Sequence, residues 1–440
     1  MIEKIYFRLL WLCFSIPYFN KIAISFYLRY GANRRNNNKN SEKSIIVLYE
    51  PRLERIVKAL EKRNLNVLIL GRGIFDYLFK KHLSNYIKNN KGNFGEYTLS
   101  VYLNYKKERK KYLNDCVFIT NLLKRKFPEI SNIVLPKYND DYTLELVEAF
   151  QVSKWTTIVY DREGTVTKRR LETIPPIIAK QATTCDYIIT YNEIHKNFFE
   201  NVFSFAGLPS PEILIMGNPL SDEWFNNGEL IDSNIRDKKE IGRNILFFAF
   251  GEFSYIYDAE YLNGKDEVWR DFLTDIHHML EEHLINNEND SIHYKRGPKG
   301  NRDYWAGSEN LIGHPNAQLL DNTANSNILI TENDFIIAFQ TTALIDAMHT
   351  EKIIIYCGWG VNYQELKKDL IPFDVYAKQG ALLHAKSPDD LKRFLLLNPE
   401  EIPINLDARK KIRESFTSNP DGRVAEKFAE WLHEVPLSSS

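Results

Sequence analysis

Residues 44–73 read SIIVLYEPRLERIVKALEKRNLNVLILGRG and contain one complete strand–helix–strand unit. SIIVLYE is a short apolar run. PRLERIVKALEKR is an amphipathic helix with proline at its first position, where a missing N–H costs nothing. NVLILGRG is a second apolar run that closes on a glycine turn. Uninterrupted apolar runs separated by amphipathic helices predict parallel strands covered on both faces.

The same rhythm continues outward. NIVLP, the helical YTLELVEAFQVS, the strand TTIVYDREG, a helix over 173–182, CDYIITYN, a helix over 193–206 and EILIMGNP follow in order. The polar stretch NNGELIDSNIRDKKEIGR (226–243) interrupts it and predicts a domain boundary. The rhythm then restarts with NILFFAFG, a helix over 266–284, SIHYKRGP, DFIIAF, a helix from Thr341 to Thr350, KIIIYCG, ALLHA and a helix from Pro388. Two helices over 406–433 close the chain. The expected fold is α/β, with two doubly wound, Rossmann-like domains facing a cleft. Their expected bounds are 44–225 and 244–400, with an N-terminal segment over 1–35 and C-terminal helices over 401–440.

Composition narrows the function. At 440 residues the chain is too long for one ordinary core. A net charge of −1 gives no overall basic field for nucleic acid. Cys13, Cys116, Cys185 and Cys357 are scattered with no CxxC pair, which predicts buried free thiols in a reducing, cytoplasmic compartment rather than a disulfide framework or zinc site.

IYFRLLWLCFSIPYFNKIAISFYL (5–28) is apolar and aromatic, but Arg8, Pro17, Asn20 and Lys21 interrupt it. It does not suit a spanning helix, and no small-residue cleavage site marks a secretory signal. Two readings remain. One is an interfacial segment peripheral to the inner face of the cell membrane, with Trp11, Tyr18, Arg29, Arg34 and Arg35 as anchors; the other is a core helix. NRRNNNKNSEK (33–43) reads as a flexible linker.

Four strand ends carry unusual chemistry, and in open α/β sheets ligands bind beyond the carboxyl ends of the strands. TTIVY runs into Asp161-Arg162-Glu163-Gly164, where Glu163 or Asp161 suits a general base; the alternative is a cap or an ion pair with Arg162 or Arg169. In MGNPLSDEW, Gly217 ends the strand, Asn218-Pro219 fixes a turn and Asp222 can cap the next helix. In HYKRGPKGNRDYW, Lys295, Arg296, Lys299 and Arg302 surround a glycine-proline turn suited to a phosphate, or form a solvated basic loop. In FQTTALIDAMHTEKIIIY, Thr341 and Thr342 open a helix after a strand, an arrangement suited to an anion or to capping, and Asp346 lies one turn in, within reach of a ribose or ring hydroxyl.

The order strand-DxEG, strand-GNPxxD, strand-KxxPxxN and strand-TTAxxDA resembles the two-domain (GT-B) bacterial surface-polysaccharide glycosyltransferases, within them the sialyl- and Kdo-type enzymes that use CMP-sugars. The resemblance covers residues 44–400 at the level of motif order. It implies transfer of a sugar from a nucleotide donor, CMP-sugar first, to a capsule or lipopolysaccharide glycan. The first domain would supply the base, Glu163 or Asp161, in a cleft with Gly164, Gly217 and Asn218. The second would hold the donor through Gly251, His293, Lys295, Arg296, Pro298, Gln340, Thr341, Thr342 and Asp346. Two departures stand out: the family's acid-acid-Gly reads Arg162-Glu163-Gly164, and its His-Pro reads Gly297-Pro298. His293, Lys295, Arg296 and the later His314-Pro315 are the candidates to replace that imidazole.

The expected partners are a nucleotide sugar as substrate and a glycan or lipid-linked acceptor, with no nucleic acid and no cofactor. No metal is expected either, because no DxD-type pair follows a strand in the second half. The rival readings are a UDP-sugar 2-epimerase, a polyol-phosphate transferase and an inactive GT-B scaffold in a glycan-assembly complex.

Overall fold

The computed structural model describes residues 32–35, 43–48, 50, 53–89, 104–138, 143–161, 167–226, 242–251, 268–296, 307–321, 323–418 and 421–435, with only the backbone of 32–35, 87–89 and 168–170. The chain forms two compact units. The first takes residues 1–164, 173–220 and 423–440; the second takes 165–172 and 221–422. The chain passes from the first unit to the second after Leu220, and Ser221–Asn226 group with the second.

The first unit is built on a seven-stranded sheet in the order β1-β3-β2-β4-β5-β6-β7. Its strands are β1 (Ala32–Arg35), β2 (Ser44–Leu48), β3 (Asn66–Leu70), β4 (Asn132–Leu135), β5 (Thr156–Tyr160), β6 (Tyr187–Thr190) and β7 (Glu212–Ile215). All neighbours pair in parallel except β1, which pairs antiparallel with β3 at the edge. Ile45–Leu48 and Thr156–Tyr160 are wholly buried, as strands covered on both faces must be.

Three expectations change here. Residues 33–35 begin not a linker but the edge strand β1, in register from Ala32 opposite Leu70 to Arg35 opposite Val67. The helix expected over 173–182 is instead two short pieces, Lys168–Thr173 and Pro175–Ala179; Pro175 and Pro176 lack the N–H groups a continuous helix would use. The helices grouped as 401–440 divide between the units. Leu406–Thr417 stays with the second, whereas Val424–Glu434 docks on the first sheet. Ala425, Phe428, Ala429 and Leu432 recur at helical spacing and join the core of Ile45, Val47, Leu60 and Tyr160. Phe428 meets Tyr160 edge to face at 5.1 Å, and Trp431 meets Tyr187 at 5.1 Å.

The second unit holds a six-stranded, wholly parallel sheet in the order β10-β9-β8-β11-β12-β13. Its strands are β8 (Asn244–Phe248), β9 (Ser291–Lys295), β10 (Ala317–Leu320), β11 (Phe335–Ala338), β12 (Ile353–Cys357) and β13 (Leu383–Ala385). The chain leaves β8 for β9 and β10 on one side, then returns to its other side at β11. That reversal creates a switch point at the carboxyl ends of β8, β9 and β11. The helix expected from Thr341 to Thr350 is shorter, Ala343–Ala347, with Thr342 at its N-terminal boundary.

Cys116, Cys185 and Cys357 are buried free thiols. Among the described residues no helix is long and apolar enough to cross a membrane. The segment 5–28 lies outside the described residues.

Candidate functional site

In the first unit, β5 delivers Asp161 to the carboxyl edge of the sheet. Its carboxylate accepts a hydrogen bond from the Tyr138 backbone N–H at 3.1 Å and lies 3.4 Å from His195 Nε2. The pair is enclosed, with Asp161 and His195 only 1% and 2% exposed. His195 sits in the first turn of the helix Glu193–Ala206, where Asn192 caps the helix by accepting from the His195 N–H at 2.8 Å. The ring thus enters from β6 while the carboxylate enters from β5. His195 Nδ1 is buried with no hydrogen-bond partner.

Burial alone would raise the Asp161 carboxyl. The hydrogen bond and charge of His195, then Lys137 and the Tyr138 N–H, outweigh it and hold the group below its usual 3.8. A depressed carboxyl contributes stability above the ordinary value and loses it as pH falls through the folded one. Urea unfolding should therefore show Asp161→Asn losing less stability than wild type between about pH 5 and pH 3. Equal losses would detach Asp161 from this pair.

Arg162, Glu163 and Gly164 lie outside the described residues. Gly217 and Asn218 are brought to the same edge. The Tyr160 hydroxyl donates to the Gly217 carbonyl at 2.9 Å, tying the end of β5 to the turn after β7. Gly217 has φ 95°, a conformation that favours glycine. Asn218 Oδ1 accepts from the Leu220 N–H at 3.0 Å, as the turn chemistry predicted. Asp222 is buried in the 3₁₀ turn Pro219–Asp222.

In the second unit, Gly251, Lys295, Arg296, Gln340 and Thr341 fall at the carboxyl ends of β8, β9 and β11, around the switch point. The Ala249 N–H donates to the Lys295 carbonyl at 2.9 Å, holding two of these ends together. Lys295 is buried, and that burial lowers its ammonium below the usual range, with partial compensation from the Asp321 carboxylate. Thr341 Oγ1 accepts from the Ala343 N–H at 3.3 Å, while Thr342 is exposed. Pro298, Lys299 and Arg302 lie outside the described residues.

Four candidates have other company. Gln340 is buried and its amide is consumed internally: Nε2 donates to the Tyr356 hydroxyl at 2.9 Å and the Ile371 carbonyl at 3.1 Å, and Oε1 accepts from the Ile371 N–H at 2.7 Å. His293 lies mid-strand, 2.8 Å from Asn333 Oδ1. His314-Pro315 precedes β10, at the opposite end of the sheet from Lys295, and His314 Nδ1 accepts from the Asn316 N–H. Asp346 is partly buried beside Glu223, and burial followed by the Glu223 charge raises its carboxyl to about 7. Glu223 in turn accepts from Asn327 Nδ2 at 2.6 Å and Asn325 Nδ2 at 3.2 Å. A raised carboxyl contributes stability at low pH that is lost as pH rises through the folded value. Asp346→Asn should therefore stabilise the second unit at about pH 8, on the order of 1 kcal/mol, and less at about pH 5.

Sequence reading did not find His195, Glu50 or Glu223. Glu50 follows β2, is buried, and meets Arg72 from the end of β3 at 3.6 Å. Its only signal was an acid closing the run SIIVLYE. Among the described residues no group of three or more His, Cys, Asp or Glu side chains could hold a metal ion.

No protein-family model matches the sequence, and no curated relative does. Solved structures match the fold. S. aureus MnaA, in a co-structure with UDP, is 11% identical with a TM-score of 0.51, over 89% of this chain and 98% of that one. The UDP-GlcNAc 2-epimerase of Methanocaldococcus jannaschii is 14% identical with a TM-score of 0.50, over 89% and 99%. At this identity the likeness concerns the fold: two Rossmann-like α/β domains in one chain, of the GT-B class.

Proposed function

We propose that the chain is a nucleotide-sugar glycosyltransferase that extends a bacterial surface glycan. The observation that carries this reading is the convergence of Gly251, Lys295, Arg296 and Thr341 on the switch point of the second sheet. Cation, hydroxyl and backbone N–H groups there suit the leaving phosphate of a nucleotide donor.

In the first unit Asp161 is engaged with His195 and Tyr138, so its role is to fix the end of β5 from which the chain continues to Glu163. Glu163 is then the general base that takes the proton of the acceptor hydroxyl as the sugar is transferred. Gln340 supports the site by bracing Ile371 rather than by touching donor.

Calorimetry tests the donor site. Lys295→Ala and Thr341→Ala should each weaken nucleotide binding by about 5–30-fold, the former with a marked salt dependence. Unchanged affinity in both would remove the second unit as the donor site. The motif order favours CMP, whereas the MnaA co-structure holds UDP, so both nucleotides belong in the titration.

A second reading, a UDP-GlcNAc 2-epimerase, is favoured by the fold likeness to the M. jannaschii enzyme. An epimerase would change a nucleotide sugar without any acceptor. We further propose that residues 1–35 hold the protein at the inner face of the membrane, near a lipid-linked acceptor. Deleting residues 1–31, which leaves edge strand β1 in place, should abolish vesicle flotation while both units stay folded.

A further inference from the structure

The helix Lys106–Lys126 begins with KKERKK, which places four exposed lysines, Lys106, Lys107, Lys110 and Lys111, at the end where a helix dipole disfavours cations. None of the four has an acidic partner among the described residues. The cation that does find one is Arg109, which pairs with buried Glu145. The turn around them is anchored from beneath, with Tyr112 packing on Phe79 at 5.8 Å and Tyr105 on Tyr86 at 5.6 Å. Asp115 bonds His82 at 2.8 Å and meets Lys81 at 3.8 Å. Through Phe79 and His82 the helix Gly73–His82 packs along the longer helix, with exposed Lys80 and Lys81 at its end, Lys81 facing Asp115. The four lysines of the longer helix form a cationic patch on a chain whose net charge is only −1.

Where the N-terminal chain enters the fold identifies the partner. Ala32 pairs with Leu70, and only Gly71 and Arg72 separate Leu70 from the lysine-bearing helix Gly73–His82. Residues 1–31, with their apolar and aromatic run, thus join the fold at the strand end from which the helix Gly73–His82 departs, the helix that packs along the lysine-rich one. We infer that this patch docks on an anionic phospholipid surface, as a second contact beside the N-terminal segment. One weak anchor seldom holds a protein on a bilayer, and an apolar segment combined with a polybasic patch does. The inference deepens the peripheral-membrane reading above, and its test needs no turnover, so its failure leaves the sugar-transfer reading intact.

The test is flotation of the full-length protein with phosphatidylcholine vesicles, with and without phosphatidylglycerol. Wild type should float with the anionic vesicles and release as salt rises. Lys107→Glu/Lys111→Glu should lower its partition at least tenfold, because each lysine near an anionic bilayer contributes about fivefold. The charge-matched control Lys410→Glu/Lys411→Glu, on the helix Leu406–Thr417 of the second unit, should float like wild type. Equal binding to neutral vesicles, or undiminished flotation of the first variant, would overturn the inference. So would heparin or RNA binding that depends on these lysines without any vesicle binding, which would make the patch a polyanion site.

Discussion

Glu163→Gln is expected to lower sugar transfer by about 10²–10⁴-fold while leaving nucleotide affinity within twofold of wild type, the range that loss of one general base commonly produces. The amide keeps the shape of the carboxylate and cannot take the acceptor proton. Asp161→Asn should behave differently, because Asp161 is a buried partner of His195 and Tyr138. Its loss should break that buried pair at the end of β5 and lower both stability and turnover. Single-turnover rates and nucleotide titrations on the two variants separate the roles. If Glu163→Gln keeps most turnover and Asp161→Asn retains stability but no activity, Asp161 is the base and the assignment reverses. If neither variant loses activity, neither acid of the Asp161–Gly164 motif is the base.

Arg409→Ala should cost about 3–5 kcal/mol of stability in the second unit, the range for removing a buried ionic hydrogen-bonding group. Arg409 is 1% exposed and makes no ion pair among the described residues. It instead donates to three carbonyls: Nε to Ala381 at 2.7 Å, Nη1 to Thr350 at 2.6 Å and Nη2 to Lys352 at 3.0 Å. Burial, then the charge of Arg413, pulls it down to about 10. Those carbonyls precede β12 and β13, so one side chain fixes where two core strands begin. Removing it strips three carbonyl acceptors of a donor, two of them in buried bonds, and opens a cavity beside Ile353 and Leu382. Arg409→Lys should recover little, because a point charge cannot span three acceptors as the planar fork does. Hydrogen exchange at β12 and β13 amides, with urea unfolding, reads the effect; unchanged protection would refute it.

The parts of the fold that sequence made plain are those whose burial is local. Ile45–Leu48, Thr156–Tyr160 and Ile353–Cys357 are buried on both faces, and such strands must be apolar throughout. The helix Glu193–Ala206 announced itself through Asn192 at its cap, its phenylalanines and the left-handed Gly207 at its end. Other elements are set by distant partners. Edge strand β1 needs only backbone pairing with β3, so Asn33, Arg34 and Arg35 gave no apolar signal. The helix Lys106–Lys126 buries Tyr112, Cys116, Ile119, Thr120 and Leu123 at helical spacing, but the lysines around them dilute the pattern. Val424–Glu434 shows which face it buries and cannot show against which sheet.

The site follows the same division. Turn chemistry exposed Gly217, Asn218 and Thr341 because each acts on its own neighbours. His195 and Asp161 meet only through the adjacency of β5 and β6, and Glu223 nears Asp346 only through the second unit's packing. Those partnerships are tertiary, so no spacing in the sequence reports them.

Sugar transfer itself is tested most directly by following a labelled sugar. The full-length protein is incubated with UDP-, CMP-, GDP- and CDP-linked sugars, each with and without a bacterial surface-glycan acceptor. The prediction is that one donor releases its nucleotide only when acceptor is present, with the sugar recovered in the glycan in equal amount. An altered nucleotide sugar, or free nucleotide together with an altered sugar, formed without acceptor would contradict transfer and establish the epimerase reading instead.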